Sequence, residues 1–202
     1  MYSLYVSKPL SSWSLRPWIL LKELGIPFED KEVTFLEDRK QQQQQFLQFS
    51  PTAKVPVLHD QEQIIWDSLA IIEYISEDYP QVWAEDRYAR AWSRSACAEM
   101  HSGFAKFRQT CGFDPLVHTP LKEVSEQVAT EIKRINQLWQ EGLNRFGGPY
   151  LAGKKFTAVD TFFVPIASRI ATYGLESYFS DSTLAYQQKL LALDSFKGWI
   201  KG

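Results

Sequence analysis

Cysteine is scarce in this 202-residue sequence: only Cys97 and Cys111 occur. Two thiols make no disulfide framework, and a reducing compartment is the expectation. Neither lies before residue 97, so the N-terminal part has no C-x-x-C pair, which disfavours thiol–disulfide exchange through a protein thiol. Long apolar runs are also missing. No stretch of about 18 apolar residues occurs, so no membrane-spanning helix is expected. An excess of either charge is absent: 22 basic side chains stand against 24 acidic ones, a formal net charge of −2. That excludes a strongly basic nucleic-acid footprint. The opening MYSLYVSKPLSSW lacks the charged start and apolar stretch of a signal peptide, so a cytoplasmic protein is expected. No G-x-S-x-G elbow marks a serine as an acyl nucleophile.

Apolar residues make up 45% of the chain and charged residues 23%, a balance that argues against disorder. With 7 Trp and 13 Phe the chain can bury a core without disulfide staples. Its pattern changes near residue 80. Tyr2 to Ser7 is β-prone and closes on Lys8-Pro9. Trp18, Leu20, Leu21 and Leu24 suit one face of a helix that Gly25 and Pro27 stop, and Pro17 is tolerable there only near the first turn. Phe28 to Phe35 reads as a second strand, which completes a βαβ unit. The glutamines Gln41 to Gln45 form either a solvated helix or a loop. Two short runs around Asp60-Gln61-Glu62 predict a β-hairpin. Ser68 then caps a helix with Leu69, Ile72, Tyr74 and Ile75 on its apolar stripe.

Beyond a linker at 80–86 the chain reads helical. Tyr88, Trp92, Ala96, Met100, Phe104, Phe107 and Cys111 recur at three and four, which predicts one long helix ended by CGFDP. A second runs from about Pro120 to the Gly147-Gly148-Pro149 cluster. A third starts near Thr157, where Thr157 and Asp160 have capping-box spacing, and one or two shorter ones follow. The expected architecture is a small α/β unit over 1–79 and an all-helical unit over 87–202.

Three segments stand out chemically. Val55-Pro56 leads into a strand, where proline cannot donate to the ladder. Either a trans proline at a strand edge resolves this, or a cis bond that leaves the Val55 N–H and C=O free to pair with an extended ligand. Asp67-Ser68 at a strand-to-helix junction is either an ordinary cap or a cradle for a carboxylate. Ser11, Ser12 and Ser14 either cap the first helix or offer a hydroxyl to an anion at its N-terminus.

Taken in order, these features resemble the soluble glutathione transferase family: a Ser-containing turn after the first strand, V-P before a hairpin, D-S before a helix, then an all-α half with FTAVDTFF. The resemblance covers essentially the whole chain. It implies a thioredoxin-like N-terminal domain followed by an all-helical C-terminal domain. SSWSLRP looks most like the serine-type zeta and tau classes, whose activating serine lies five residues before an arginine. Counting back from Arg16 gives Ser11, and theta-like spacing gives Ser12 in reserve. The resemblance further implies that Lys54 meets the glycine carboxylate of glutathione, Val55 its cysteinyl backbone, and Asp67 with Ser68 its γ-glutamyl end. Gln41 joins this set, and Phe104, Phe107 and Arg108 face the electrophile.

The implied activity is transfer of the glutathione thiolate to a small hydrophobic or anionic electrophile. Alternatives are isomerisation of a maleylacetoacetate-like acid, peroxide reduction, or a non-catalytic binding or regulatory member of the fold. Glutathione serves as co-substrate with no metal. A homodimer with neither nucleic-acid nor membrane partner is implied.

Overall fold

A computed structural model describes residues 1–201 of the chain. The first half contains β1 (Tyr2–Val6), α1 (Ser12–Glu23), β2 (Phe28–Glu32), α2 (Arg39–Phe46), β3 (Val57–Asp60), β4 (Gln63–Ile65) and α3 (Ser68–Asp78). The sheet order is β2-β1-β3-β4. β1 runs parallel to β2, with Leu4 opposite Asp30, and antiparallel to β3, with Leu4 opposite Leu58. β3 and β4 form the hairpin. Tyr2, Leu4 and Val6 alternate into the core, as a strand period of two requires.

The second half contains α4 (Arg87–Ser102), α5 (Ala105–Thr110), α6 (Glu126–Phe146), α7 (Ala158–Tyr173), α8 (Asp181–Leu191) and α9 (Asp194–Lys201). α7 is buried along nearly its whole length and packs against α1, α4 and α8. Its start carries the Thr157–Asp160 capping box. At the staple position after the box, Thr161 is buried and donates to the Ala158 carbonyl (2.8 Å). α9 closes over α1: Trp199 donates to the Pro9 carbonyl (2.8 Å) and meets Trp18 edge-on. The fold is thus a thioredoxin-like α/β unit joined to an all-helical unit, with α1 held between the sheet and α7. Among the described residues, no helix is long and apolar enough to cross a membrane.

Several expected boundaries shift. β2 ends at Glu32 rather than Phe35, and the glutamine tract is a helix capped by the Asp38 side chain. Pro17 lies in the second turn of α1, beyond the N-terminal turn where its missing N–H costs nothing. The cap of α3 is Asp67, which accepts from Leu69 N, so Ser68 becomes the first helical residue. The single long helix over Tyr88 to Cys111 is two. Gly103 N closes α4 on the Glu99 carbonyl (2.8 Å), and a Cβ on Gly103 would stand 2.7 Å from that oxygen. Phe104 follows in the left-handed region at φ 56° and turns the chain into α5. α6 begins at Glu126, six residues past Pro120, because Ser125 caps it. The segment before it is tied to α7 instead, through Thr119 N to the Thr172 carbonyl and Leu121 N to the Tyr173 carbonyl.

Candidate functional site

Two cavities flank the leading end of α1. The first, of about 390 Å³, is lined by Thr52, Lys54, Val55 and Pro56 before β3, by Trp66, Asp67 and Ser68 before α3, and by Trp13 and His101. Val55-Pro56 is cis, so of the two geometries that suited the sequence this one occurs. The β1–β3 ladder starts only at Val57, which leaves Val55 outside it. The turn before Val55 is held by the Ser50 hydroxyl, which donates to the Lys54 carbonyl (2.7 Å) and accepts from Lys54 N (3.2 Å). Lys54 itself is exposed and lines the cavity.

Across the cavity, Asp67 uses both carboxylate oxygens. Oδ1 accepts from Leu69 N (3.0 Å), and Oδ2 lies 3.1 Å from His101 Nε2. Ser68 is fully buried and its hydroxyl has no partner among the described residues. It also stands at the N-terminus of α3, an eleven-residue helix whose first N–H groups have no intrahelical acceptor. His101 sits edge-on to Trp13 (5.1 Å). Burial pushes its pKa down against the attraction of Asp67, with Arg16 adding to the decrease.

The second cavity, of about 260 Å³, lies on the other side of Trp13. Ser12, Arg16, Arg108 and Arg169 line it, from α1, α5 and α7. Arg16 is 1% exposed. Burial first, then Arg169 and Arg108, lower its pKa to about 9, and burial followed by Arg108 lowers that of Arg169 to about 10. Both guanidinium groups remain charged at neutral pH.

The three serines separate by their bonds. Ser11 caps α1: its oxygen accepts from Ser14 N (3.2 Å) and its hydroxyl donates to Ser14 Oγ (2.9 Å). Ser11 lines neither cavity. Ser12 Oγ accepts from Arg169 Nη2 (3.4 Å) and keeps its own hydrogen for another partner.

Lys54, Val55, Asp67 and Ser68 therefore come together as the sequence suggested, and Arg108 joins the second cavity. Gln41 does not join them: it is exposed on α2, where its backbone N–H donates to the Asp38 cap (3.2 Å). Phe104 and Phe107 line neither cavity. The break after α4 turns both into the core, at 7% and 0% exposure. Trp13, Arg16, His101 and Arg169 escaped the sequence reading as site residues. Trp13 and Arg16 share the α1 face of the serine turn, a visible signal, but nothing local marks His101 or Arg169. The two thiols are inert: burial pushes Cys111 up to about 11 and raises Cys97 well above its ordinary value. Among the described residues no cluster of three or more His, Cys, Asp or Glu side chains stands ready for a metal.

Comparison with known proteins adds to this geometry. Residues 10–78 match the family described as Glutathione S-transferase, N-terminal domain. The chain is 30% identical over 164 residues to the Glutathione S-transferase-like protein OpS6 of Beauveria bassiana (strain ARSEF 2860), covering 74% of this chain and 72% of that protein. It is 24% identical over 191 residues to the Stringent starvation protein A homolog of Haemophilus ducreyi (strain 35000HP / ATCC 700724), covering 91% and 83%. The fold is shared with a glutathione transferase homolog from Burkholderia GL BGR1, crystallised with bound glutathione. The TM-score is 0.73 and the identity 24%, over 99% of this chain and 96% of that one.

Proposed function

Because the chain belongs to the glutathione S-transferase family, we propose that it binds glutathione in the first cavity and transfers the thiolate to a small electrophile. The observation that carries this reading is the Ser68 hydroxyl, fully buried, without a partner and lining the cavity at a helix N-terminus. A carboxylate is the ligand such a position favours. In this reading Ser68 donates to the γ-glutamyl carboxylate and Asp67 attracts the neighbouring ammonium. The Val55 backbone pairs with the cysteinyl unit, and Lys54 meets the glycine carboxylate. Residues 1–79 then form the glutathione unit, 80–86 the linker and 87–202 the electrophile side, in a cytoplasmic homodimer.

The sulfur would lie at the leading end of α1. A free thiol titrates at about 8.5, and lowering that by about two units takes about 2.7 kcal/mol of preference for the anion. A hydrogen bond to a charged group contributes roughly 1.5–3 kcal/mol, and the helix end about 0.3–2 kcal/mol. One hydroxyl and one helix end are therefore sufficient in magnitude. The spacing to Arg16 points to Ser11, but the hydrogen bonds favour Ser12, which alone of the two has an uncommitted hydrogen and lines a cavity.

The test is a pH titration of the bound thiolate by its ultraviolet absorbance. Ser12→Ala is expected to return the thiol towards its solution value. Ser11→Ala is expected to cost roughly 1 kcal/mol of stability as a lost cap, with the thiolate retained. Thiolate lost only in Ser11→Ala would return the role to Ser11, and no change in either variant would end the hydroxyl mechanism. A second reading, a non-catalytic regulatory member, is favoured by the similarity to the starvation protein over 91% of the chain. Failure to be retained by immobilised glutathione would support it, whereas retention without turnover of chlorodinitrobenzene would point to a binding module or a narrower substrate.

A further inference from the structure

We propose that the second cavity is an anion subsite, and that the electrophile this protein accepts carries a carboxylate. This deepens the reading above and rests on it, because Ser12, the hydroxyl assigned to the sulfur, lines the same cavity as Arg16, Arg108 and Arg169.

Three guanidinium groups converge there without a counter-charge. Arg16 Nε and Nη1 are buried and have no hydrogen-bond partner among the described residues. Its neighbours are aromatic: Trp13 and Phe162 lie 4.2 Å and 4.6 Å from the guanidinium carbon. Such contacts favour the cation but provide no in-plane acceptor for its N–H groups. Arg169 reaches only neutral oxygens, the carbonyls of Cys111 (2.8 Å) and Pro165 (3.4 Å) and the Ser12 hydroxyl (3.4 Å). Arg108 donates to the His101 carbonyl (3.3 Å) and lies over the Trp13 ring. Among the described residues none of the three makes an ion pair. The nearby carboxylates are occupied elsewhere, Asp67 by His101 and Glu131 by the Lys106 and Phe107 amides.

Burying like charges without a partner is costly, and a planar anion that accepts two parallel N–H bonds offsets that cost best. Only Trp13 and Ala105 of the lining are apolar. Such a wall suits the charged end of an acceptor, and it suits a purely apolar acceptor poorly. Glutathione itself carries carboxylates, so the same chemistry has a second source that the experiment must separate.

Calorimetry on the intact protein provides the test, with 3,5-dinitrobenzoate and its neutral methyl ester titrated with and without saturating S-methylglutathione. The acid is expected to bind at least about tenfold more tightly than the ester, with or without the tripeptide. The preference is expected to vanish in Arg108→Gln and return in part in Arg108→Lys. Arg108 is half-exposed, so these variants are expected to fold, and a cooperative melt checks that they do. Equal binding of acid and ester by the native protein overturns the proposal. Displacement of the acid by S-methylglutathione also overturns it, by assigning the arginines to the tripeptide. A protein that takes up no S-methylglutathione refutes the glutathione reading. The acid–ester contrast measured without it still upholds or overturns the subsite.

Discussion

The two cavities share the Trp13 wall and are built in opposite ways. The first draws on two short consecutive segments, Thr52–Pro56 and Trp66–Ser68, with His101 as its one contribution from the helical half. Backbone turns and a helix cap fix its polar atoms, and its acid, Asp67, has a partner in His101. The second takes three residues from α1, three from α5 and one from α7, and concentrates a single sign of charge. A site of the first kind is held by local hydrogen bonds. One of the second kind exists only as long as α1, α5 and α7 stay packed.

The largest expected effect tests that dependence. Asp160 is fully buried and accepts from Leu151 N (3.0 Å), Thr157 N (2.9 Å), Thr157 Oγ1 (3.3 Å) and Tyr186 OH (2.9 Å). Burial lifts its pKa to about 6 while these donors favour its charge, so it is ionised at neutral pH. Asp160→Ala would leave those donors buried without an acceptor, at a cost of roughly 3–5 kcal/mol in urea unfolding. Because α7 carries Arg169, the preference for an anion should be lost before the groove at residues 52–68 loosens. A variant with an unchanged urea midpoint would break this link between α7 and the second cavity. A smaller effect separates the cavities from the other side. Ser68→Ala should weaken glutathione roughly tenfold to a hundredfold, the worth of one hydrogen bond to a charged group. The contrast between dinitrobenzoate and its ester should remain. If both change together, the cavities are one site.

The same difference explains what was legible in the sequence. Val55-Pro56 and Asp67-Ser68 announced themselves because each chemical demand falls on adjacent residues: a proline at a strand's edge, a polar pair at a helix start. The βαβ unit, the hairpin and the Thr157–Asp160 box were visible for the same reason. Apolar spacing proved a weaker guide, because it reports burial and not helicity. Phe104 and Phe107 keep the period of α4 across the break at Gly103, since both still pack into the core after the chain has turned. Leu121 and Val124 extend the pattern of α6 upstream of its true start, because they pack on the core from an irregular segment. Arg169 lies 157 residues from the Ser12 it touches, so no local pattern could announce that cavity.

The smallest effect concerns His101, which lines one cavity and touches an arginine of the other. Its ring lines the first, and its carbonyl accepts from Arg108 of the second. With Asp67 as the acceptor, Nε2 carries the hydrogen of the neutral ring. Nδ1 then holds the lone pair, buried and without a partner among the described residues. A second proton would have to enter there with no acceptor, facing Arg16 and Arg108, and only Asp67 opposes this. The folded-state pKa is accordingly below the ordinary value of 6.5, with burial as the first cause. A base whose pKa is depressed by folding contributes stability that is fully present above the unfolded pKa and is lost as pH falls through the folded one. Between those two values the unfolded chain binds the proton first, so stability should fall on acidification below about 6.5. His101→Asn cannot titrate and should lose less stability than the native protein between neutral and mildly acidic pH. Urea midpoints measured for both proteins across that range decide it. Parallel curves would mean that the ring titrates alike in the folded and unfolded chain, with Asp67 cancelling the effects of burial and of the two arginines.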